Sequence, residues 1–544
     1  MTDRTASTTP AAPTPGPAQD PAAPRGAHPA ADLSADPAGI PASLPAIDPL
    51  APYDAVLLLS YGGPCQPEDV LPFMRNATAG RGVPDSRLLE VSGHYQGFGG
   101  ASPINARNAE LRDALQARLA ERGSRLKVVV GNRNWHPFVS QALRELADAG
   151  ARHVLALPTA AFGSYSGCRQ YREDLAGAVA LLAAGADGAT GDGFEADAAA
   201  RVGGDGGGPV DLTVDKTRPY YNTLGLLEAN VDAIVEAYGR LAEQGVAAAD
   251  ARLVLVTHSI PLGMETGSAP SPDSDGAHGV PDVDYPTETG QPSRHSAHHP
   301  GGRSDTLTPA QPAEQREPGV TADLSTEISY VTQHEALAAI LVPEVARRLG
   351  LAQVEADLVY CSRSGPPQAR WLEPDVNDHL EALAAGRLTD GSPADRPGGV
   401  VVAPFGFISD HMEVVFDLDT EAADTAARLG LPYVRAATAG THPALVSSLA
   451  DILAERAAAA RGEKTRPAST TGTGPFHTVC PPQCCRTETR SARGHGTGGS
   501  GAGGHPVPGA RSAHGISPTA KSLPSAPVRP HTAHDTALAD EGSL

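Results

Sequence analysis

Strand-like and helix-like segments alternate along most of this chain. That order predicts an α/β protein of two similar Rossmann-like halves, with parallel sheets facing a central cleft. Three observations carry the prediction. Short runs such as VLLL at 56–59 and VVV at 400–402 are the kind that fill parallel strands covered on both faces. Each run gives way to a Gly- or Pro-rich loop and then to a longer segment with helical spacing. The pattern also echoes itself. Trp135-His136-Pro137, a helix, a strand and PTAAFGS at 158–164 resemble residues 371–374, a helix, a strand and PFGFIS at 404–409.

Composition sets the limits of the fold. Residues 1–52, 268–324 and 462–544 are rich in Ala, Pro, Gly, Ser, Thr and His without periodicity, and are expected to remain disordered. Residues 185–208 read as a surface insertion. This leaves a first half at 53–212 and a second at 213–461. A net charge of −21 argues against nucleic acid as a partner. There is no basic leader followed by an apolar stretch and no apolar run that could span a bilayer, so a cytoplasmic location is expected. Six cysteines in that compartment are more readily free, metal-bound or redox-active than disulfide-paired.

In chain order, residues 53–60 form the first expected strand, and Gly62-Gly63-Pro64 turns the chain and leaves Tyr61 at its end. GFGGASPIN at 97–105 is a second glycine-rich loop, without the spacing of a dinucleotide fingerprint. Ser102, ahead of Pro103, either caps the helix at 106–121 or offers its hydroxyl to an anion. Strands follow at 126–130 and 153–157. A small-residue loop at 158–168 then leads to a helix opened by Tyr171 and Arg172. A helix at 224–244 precedes a strand at 252–256, which ends in Thr257-His258-Ser259 and so puts His258 at the carboxyl edge of the sheet. Helix 335–350, strand 356–360 and a helix to about 385 lead to the strand at 400–402, and helix 443–460 closes the fold.

The stretch 399–421, GVVVAPFGFISDHMEVVFDLDTE, is the focus of the chain. Ligands of open α/β sheets bind at the carboxyl ends of strands, where His411 and Glu413 fall. A helix from Ser409 or Asp410 would stack Glu413, Asp417 and Glu421 along one ridge. Like charges at that spacing repel, so the ridge is either a solvated acidic face or the seat of a cation. Oxygen ligands beside a histidine suit Fe²⁺ or Zn²⁺ better than Ca²⁺.

SYGGP, GGASPIN, GNRNWHP, YREDL, THSIP, SRSGPP, WLEPDV and GFISDHMEVVFDLD, in this order, resemble the type I ferrochelatases, and most closely the actinobacterial coproporphyrin III ferrochelatases. The resemblance spans 53 to about 455 and implies a chelatase-like fold. It implies insertion of ferrous iron, as substrate, into coproporphyrin III to give Fe-coproporphyrin III, which a downstream haem-pathway enzyme decarboxylates. The alternatives are protoporphyrin IX as substrate, or a non-catalytic porphyrin- or iron-binding protein of the same fold. By the same resemblance His258 and Glu413 are the catalytic, iron-facing pair, with Glu413 expected across the macrocycle. Ser102 and Tyr171 contact porphyrin propionates, Tyr61 reaches the iron axially, and Asp417 and Glu421 form an outer acidic ridge. Cys168, Cys480, Cys484 and Cys485 match the four ligands of a [2Fe–2S] cluster, a set that fits such a cluster's need for thiolates. The reaction asks for these residue types. Two inner N–H protons must leave as iron enters, and a neutral imidazole near pH 7 can accept them. A carboxylate can hold partly dehydrated Fe²⁺ or take a proton, so either residue could fill either role.

Overall fold

Two four-stranded parallel sheets carry the chain. The computed structural model describes residues 47–80, 82–185, 208–266, 329–363, 369–465, 467–474, 476–480 and 484–485. Of the stretches expected to be disordered, residues 1–46, 268–324 and 486–544 lie outside these, as does most of the expected insertion, whereas residues 47–52 are ordered, with Leu50 buried. In the first sheet β1 (Ala55–Ser60) is flanked by β2 (Lys127–Asn132) and β3 (His153–Pro158), with β4 (Thr213–Lys216) outside β3. In the second, β5 (Ala251–His258) lies between β6 (Ala356–Cys361) and β7 (Gly399–Ala403), with β8 (Tyr433–Arg435) outside β7. Counted from its own first strand, each sheet runs 2-1-3-4. The bridge Asn132–Phe138 of the first recurs as Tyr360–Asp375 in the second. The echo in the sequence is therefore a repeat in the fold.

The central strands are apolar throughout because helices cover both their faces. Every residue of β1 and of β7 is buried. At roughly 1.5–3 kcal/mol per buried Val or Leu side chain, these runs dominate the stability of each half. Helix Pro443–Ala460 packs on helix Leu224–Glu243 of the second half and on helix Ile104–Glu121 of the first. That crossing is close: a Cβ on Gly225 would lie 2.0 Å from the Ala444 carbonyl oxygen, so only glycine fits there.

Two boundaries move. β4 pairs with β3, so the first half runs past residue 212 to Lys216. The tail after 461 does not begin disordered, because it docks. Thr470 N–H donates to the Asn222 carbonyl (2.9 Å) and the Asn222 amide donates to the Gly474 carbonyl (2.8 Å). Arg218 forms a bidentate pair with Glu455 (2.8 and 2.9 Å) and also donates to the Ala468 carbonyl. Phe476 is buried against Gly163. These are long-range polar bonds, which composition does not report.

Candidate functional site

In each sheet the order reverses between the first and third strands, and in open α/β sheets such reversals mark the ligand-binding crevice. In the second half that position joins the end of β5 to the loop after β7. His258 is the last residue of β5, and Glu413 lies ten residues beyond β7. The loop between them can lie flat on the strand because of Gly406, where a Cβ would sit 2.1 Å from Thr257 Oγ1. His258 Nδ1 donates to the Ser259 carbonyl, which turns Nε2 toward Glu413 Oε2 at 3.4 Å. On the other side of Glu413 stands His411, with Nδ1 3.8 Å from the same oxygen.

The pair His258–Glu413 was expected at strand ends of the second half, where both can line one wall, although the resemblance set Glu413 across a macrocycle. At 3.4 Å apart the two groups stand side by side. The charge state also departs from the expected neutral imidazole. Burial disfavours the His258 imidazolium, but the Glu413 carboxylate, the Ser259 carbonyl and Asp417 outweigh it and push it up to about 9. Burial opposes the Glu413 carboxylate too, and the two imidazoles beside it hold it at about 2. The two shifts together put the proton on His258 and leave Glu413 a carboxylate.

The acidic ridge is present with a different backbone. Residues Val414–Ala422 form a π-helix, with i→i+5 hydrogen bonds, between a first turn and helix Ala423–Leu429. Asp417 feels the charges of both Glu413 and Glu421, so the three carboxylates remain neighbours. Burial is the main reason Asp417 is pushed up to about 7, against a hydrogen bond from the Ser362 hydroxyl. Ser362 follows β6 with φ 64°, a left-handed conformation uncommon for serine that aims its hydroxyl at the ridge. Glu421 is raised by burial as well.

From the first half, Tyr61 and Ser102 flank the same turn. Tyr61 is 40% exposed at the end of β1. Ser102 N–H donates to the Pro64 carbonyl at 2.9 Å, while its hydroxyl is 3.5 Å from the Ile104 N–H, a weak cap at best. Tyr171 is placed differently from these two. It is 5% exposed in the core of the first half, beside the buried ion pair of Arg133 and Asp174 (3.2 Å), and its hydroxyl is raised by burial. Arg75 and Arg87, which lie near the same loop, are paired with Asp85 and Glu90.

Tyr95 went unnoticed in the sequence. It sits on helix Asp85–Gly97, and its hydroxyl is raised by burial and by the nearby charges of Glu413, Tyr61 and Asp417, so it stands between the two halves' candidate residues. The same helix reaches the π-helix through His94, which stacks on Phe416 at 4.0 Å and 11°. No local signal marks Tyr95. Ser362 could have been found, because it follows a strand in the motif SRSGPP.

A second cluster lies behind the first sheet. Cys168, Cys484 and Cys485 are buried and Cys480 is half-buried, and none is in a disulfide. Cys168 is within hydrogen-bond reach of Cys480 and Cys485, and Cys484 of Cys480 and Cys485, the last pair 3.5 Å apart. The Lys216 ammonium donates to Cys168 Sγ at 3.2 Å. Their mutual hydrogen bonds hold the thiols of Cys168 and Cys484 down and those of Cys480 and Cys485 up. Among the described residues, no group of three or more His, Cys, Asp or Glu side chains is set as the ligands of a single metal ion. Nor is any helix among them long and apolar enough to cross a membrane.

The family model for ferrochelatase matches residues 53–457. A coproporphyrin III ferrochelatase of Streptomyces griseus subsp. griseus is 40% identical over 435 residues, covering 80% of this chain and 94% of the relative. Those of Streptomyces coelicolor and Leifsonia xyli subsp. xyli are 40% and 36% identical, each over 80% of this chain and over 94% and 92% of their own lengths.

Proposed function

The chain belongs to the ferrochelatase family, and on that premise we propose that it inserts ferrous iron into coproporphyrin III, giving Fe-coproporphyrin III for haem b synthesis. The observation that carries this reading is the contact of His258 with Glu413 at the carboxyl edge of the second sheet, with Asp417 and Glu421 leading away from it. The reaction exchanges two N–H protons for one Fe²⁺, so the site must handle three cations in turn. Glu413 takes the iron. As its charge is drawn to the metal, the His258 imidazolium loses the partner that holds its proton. Burial then favours the neutral ring, so Nε2 passes its proton toward the Asp417 carboxylate and is free to accept one from the porphyrin. Asp417, poised near neutrality and bonded to Ser362, and Glu421 pass iron inward or protons outward. Tyr61 and Ser102 serve the ring from the first half, Tyr61 toward the iron and Ser102 toward a propionate. Tyr171 acts there by backing Tyr61 rather than by reaching a propionate itself.

The test is anaerobic mixing of the protein and Fe²⁺ with coproporphyrin III or with protoporphyrin IX, followed by absorbance. Faster metallation of coproporphyrin III supports the reading, and preference for protoporphyrin IX would replace the substrate. Binding of either porphyrin without turnover would leave a carrier.

We also propose that Cys168, Cys480, Cys484 and Cys485 hold a [2Fe–2S] cluster. Four sulfurs within hydrogen-bond reach of one another, with the Lys216 ammonium on Cys168, suit an anionic iron–sulfur group. When bound, such a group supplies a one-electron centre and ties the tail to the first half. A brown protein as purified, bleached by Cys484→Ser, is the expected result, and a colourless wild-type protein, with no iron or inorganic sulfide on it, would contradict it.

A further inference from the structure

Behind His258 runs a chain of buried polar groups that no step above uses. Thr257 precedes His258 on β5, so its side chain points to the opposite face of the sheet, into the core. It is fully buried. Its hydroxyl is 2.8 Å from His334 Nε2 and 2.9 Å from the Tyr330 hydroxyl. His334 is fully buried as well, and its Nδ1 is 2.7 Å from the Tyr330 carbonyl. A carbonyl only accepts, so Nδ1 carries the proton and Nε2 is the acceptor. Thr257 must then donate to His334, which leaves its lone pairs for Tyr330. The Tyr330 hydroxyl also lies 3.2 Å from the His258 main-chain carbonyl, so its single proton is shared between that carbonyl and Thr257 Oγ1.

Gln333, just before His334 on the same helix, spans to the other half. Its side-chain carbonyl accepts from Gly163 N–H at 2.6 Å and its amide donates to the Gly163 carbonyl at 2.9 Å. Phe162 stacks on the His334 ring at 3.7 Å and 9°. One turn of helix Tyr330–Leu349 thus grips both the strand end that bears His258 and the first half's loop after β3.

Buried polar chains are not efficient stabilisers, since apolar side chains of the same shape often serve as well. This one ends on the main chain of His258, and Thr257 also touches Gly406 in the loop that leads to Glu413. We propose that Tyr330, Thr257 and His334 are positioning residues that fix the direction of the His258 imidazole relative to Glu413, with Gln333 setting the opposite half in register. The proposal rests on His258 serving the reaction above, so His258→Ala is assayed alongside.

Tyr330→Phe removes one hydroxyl and keeps the ring. Its kcat for iron insertion should fall by about tenfold to a hundredfold, the range for a catalytic group displaced by up to an ångström, with KM and porphyrin affinity unchanged. Thr257→Val should behave alike, and Thr257→Ser, which keeps the hydroxyl, should restore the rate. Should Thr257→Val fail to fold because His334 Nε2 is left unpaired, the double variant Thr257→Val/His334→Phe removes both partners and should fold with the same low kcat. Wild-type kcat in Tyr330→Phe, or losses that follow the folded fraction alone, would overturn the proposal. An active His258→Ala would instead remove the reading on which it rests.

Discussion

Changing His334 to glutamine should make the protein less sensitive to acid, and the size of the effect follows from burial. His334 is enclosed on all sides, and desolvation drives its pKa from 6.5 down to about 3, against a small opposing pull from the Tyr330 carbonyl. Between those values the unfolded chain binds a proton that the folded chain refuses. Stability is therefore whole above the unfolded value and is lost as pH falls toward the folded one, by about 1.4 kcal/mol per pH unit. From pH 7 to pH 5 the loss is about 2 kcal/mol. Glutamine has a donor and an acceptor but does not titrate in this range. His334→Gln costs stability at pH 7 through poorer packing on Phe162, and that cost should be smaller at pH 5 by about 2 kcal/mol. Urea unfolding followed by the fluorescence of Trp135 and Trp371, on both proteins at both pH values, gives the difference of differences, in which all other groups cancel. An equal cost at the two pH values would show that His334 binds a proton in the folded protein, and the polarity assigned to its hydrogen bonds would be wrong.

Other expectations concern the site and the tail. Glu413→Gln should lower the His258 pKa from about 9, because burial is then opposed only by the Ser259 carbonyl and Asp417. A titration of the imidazole C–H resonances by NMR reads this directly, and an unmoved pKa would contradict the pairing. Ser362→Ala removes the bond that favours the Asp417 carboxylate, so Asp417 should titrate above its present value of about 7 and the acid limb of the rate profile should move to higher pH. Arg218→Met leaves Glu455 buried without its partner and should cost ~3–5 kcal/mol. Limited proteolysis should then cut after residue 462, where the native tail resists.

The two halves were legible because their central strands are apolar enough to need no context. The repeat of Trp, helix, strand and Phe/Gly loop marked the symmetry. His258 was legible for a related reason, since a polar residue that ends an apolar strand is conspicuous, and Glu413 because it begins a ladder of carboxylates spaced four apart. β4 and β8 were not, since TVDK and YVR are short edge segments held by a neighbour's hydrogen bonds. Helix Asp85–Gly97 was missed because its sequence has little apolar stripe and only Leu88 is buried. The docked tail depends on Arg218, Glu455 and Asn222, far away in the chain. The charge on His258 depends on a 3.4 Å contact, which no spacing rule contains.

The most direct measurement of the central claim is the initial rate of Fe-coproporphyrin III formation, under anaerobic conditions, by the wild-type protein and by His258→Ala at equal porphyrin saturation. The account predicts a rapid rise in metalloporphyrin absorbance with the wild type and almost none with the variant, although both bind the porphyrin. Equal rates from the two proteins would contradict it.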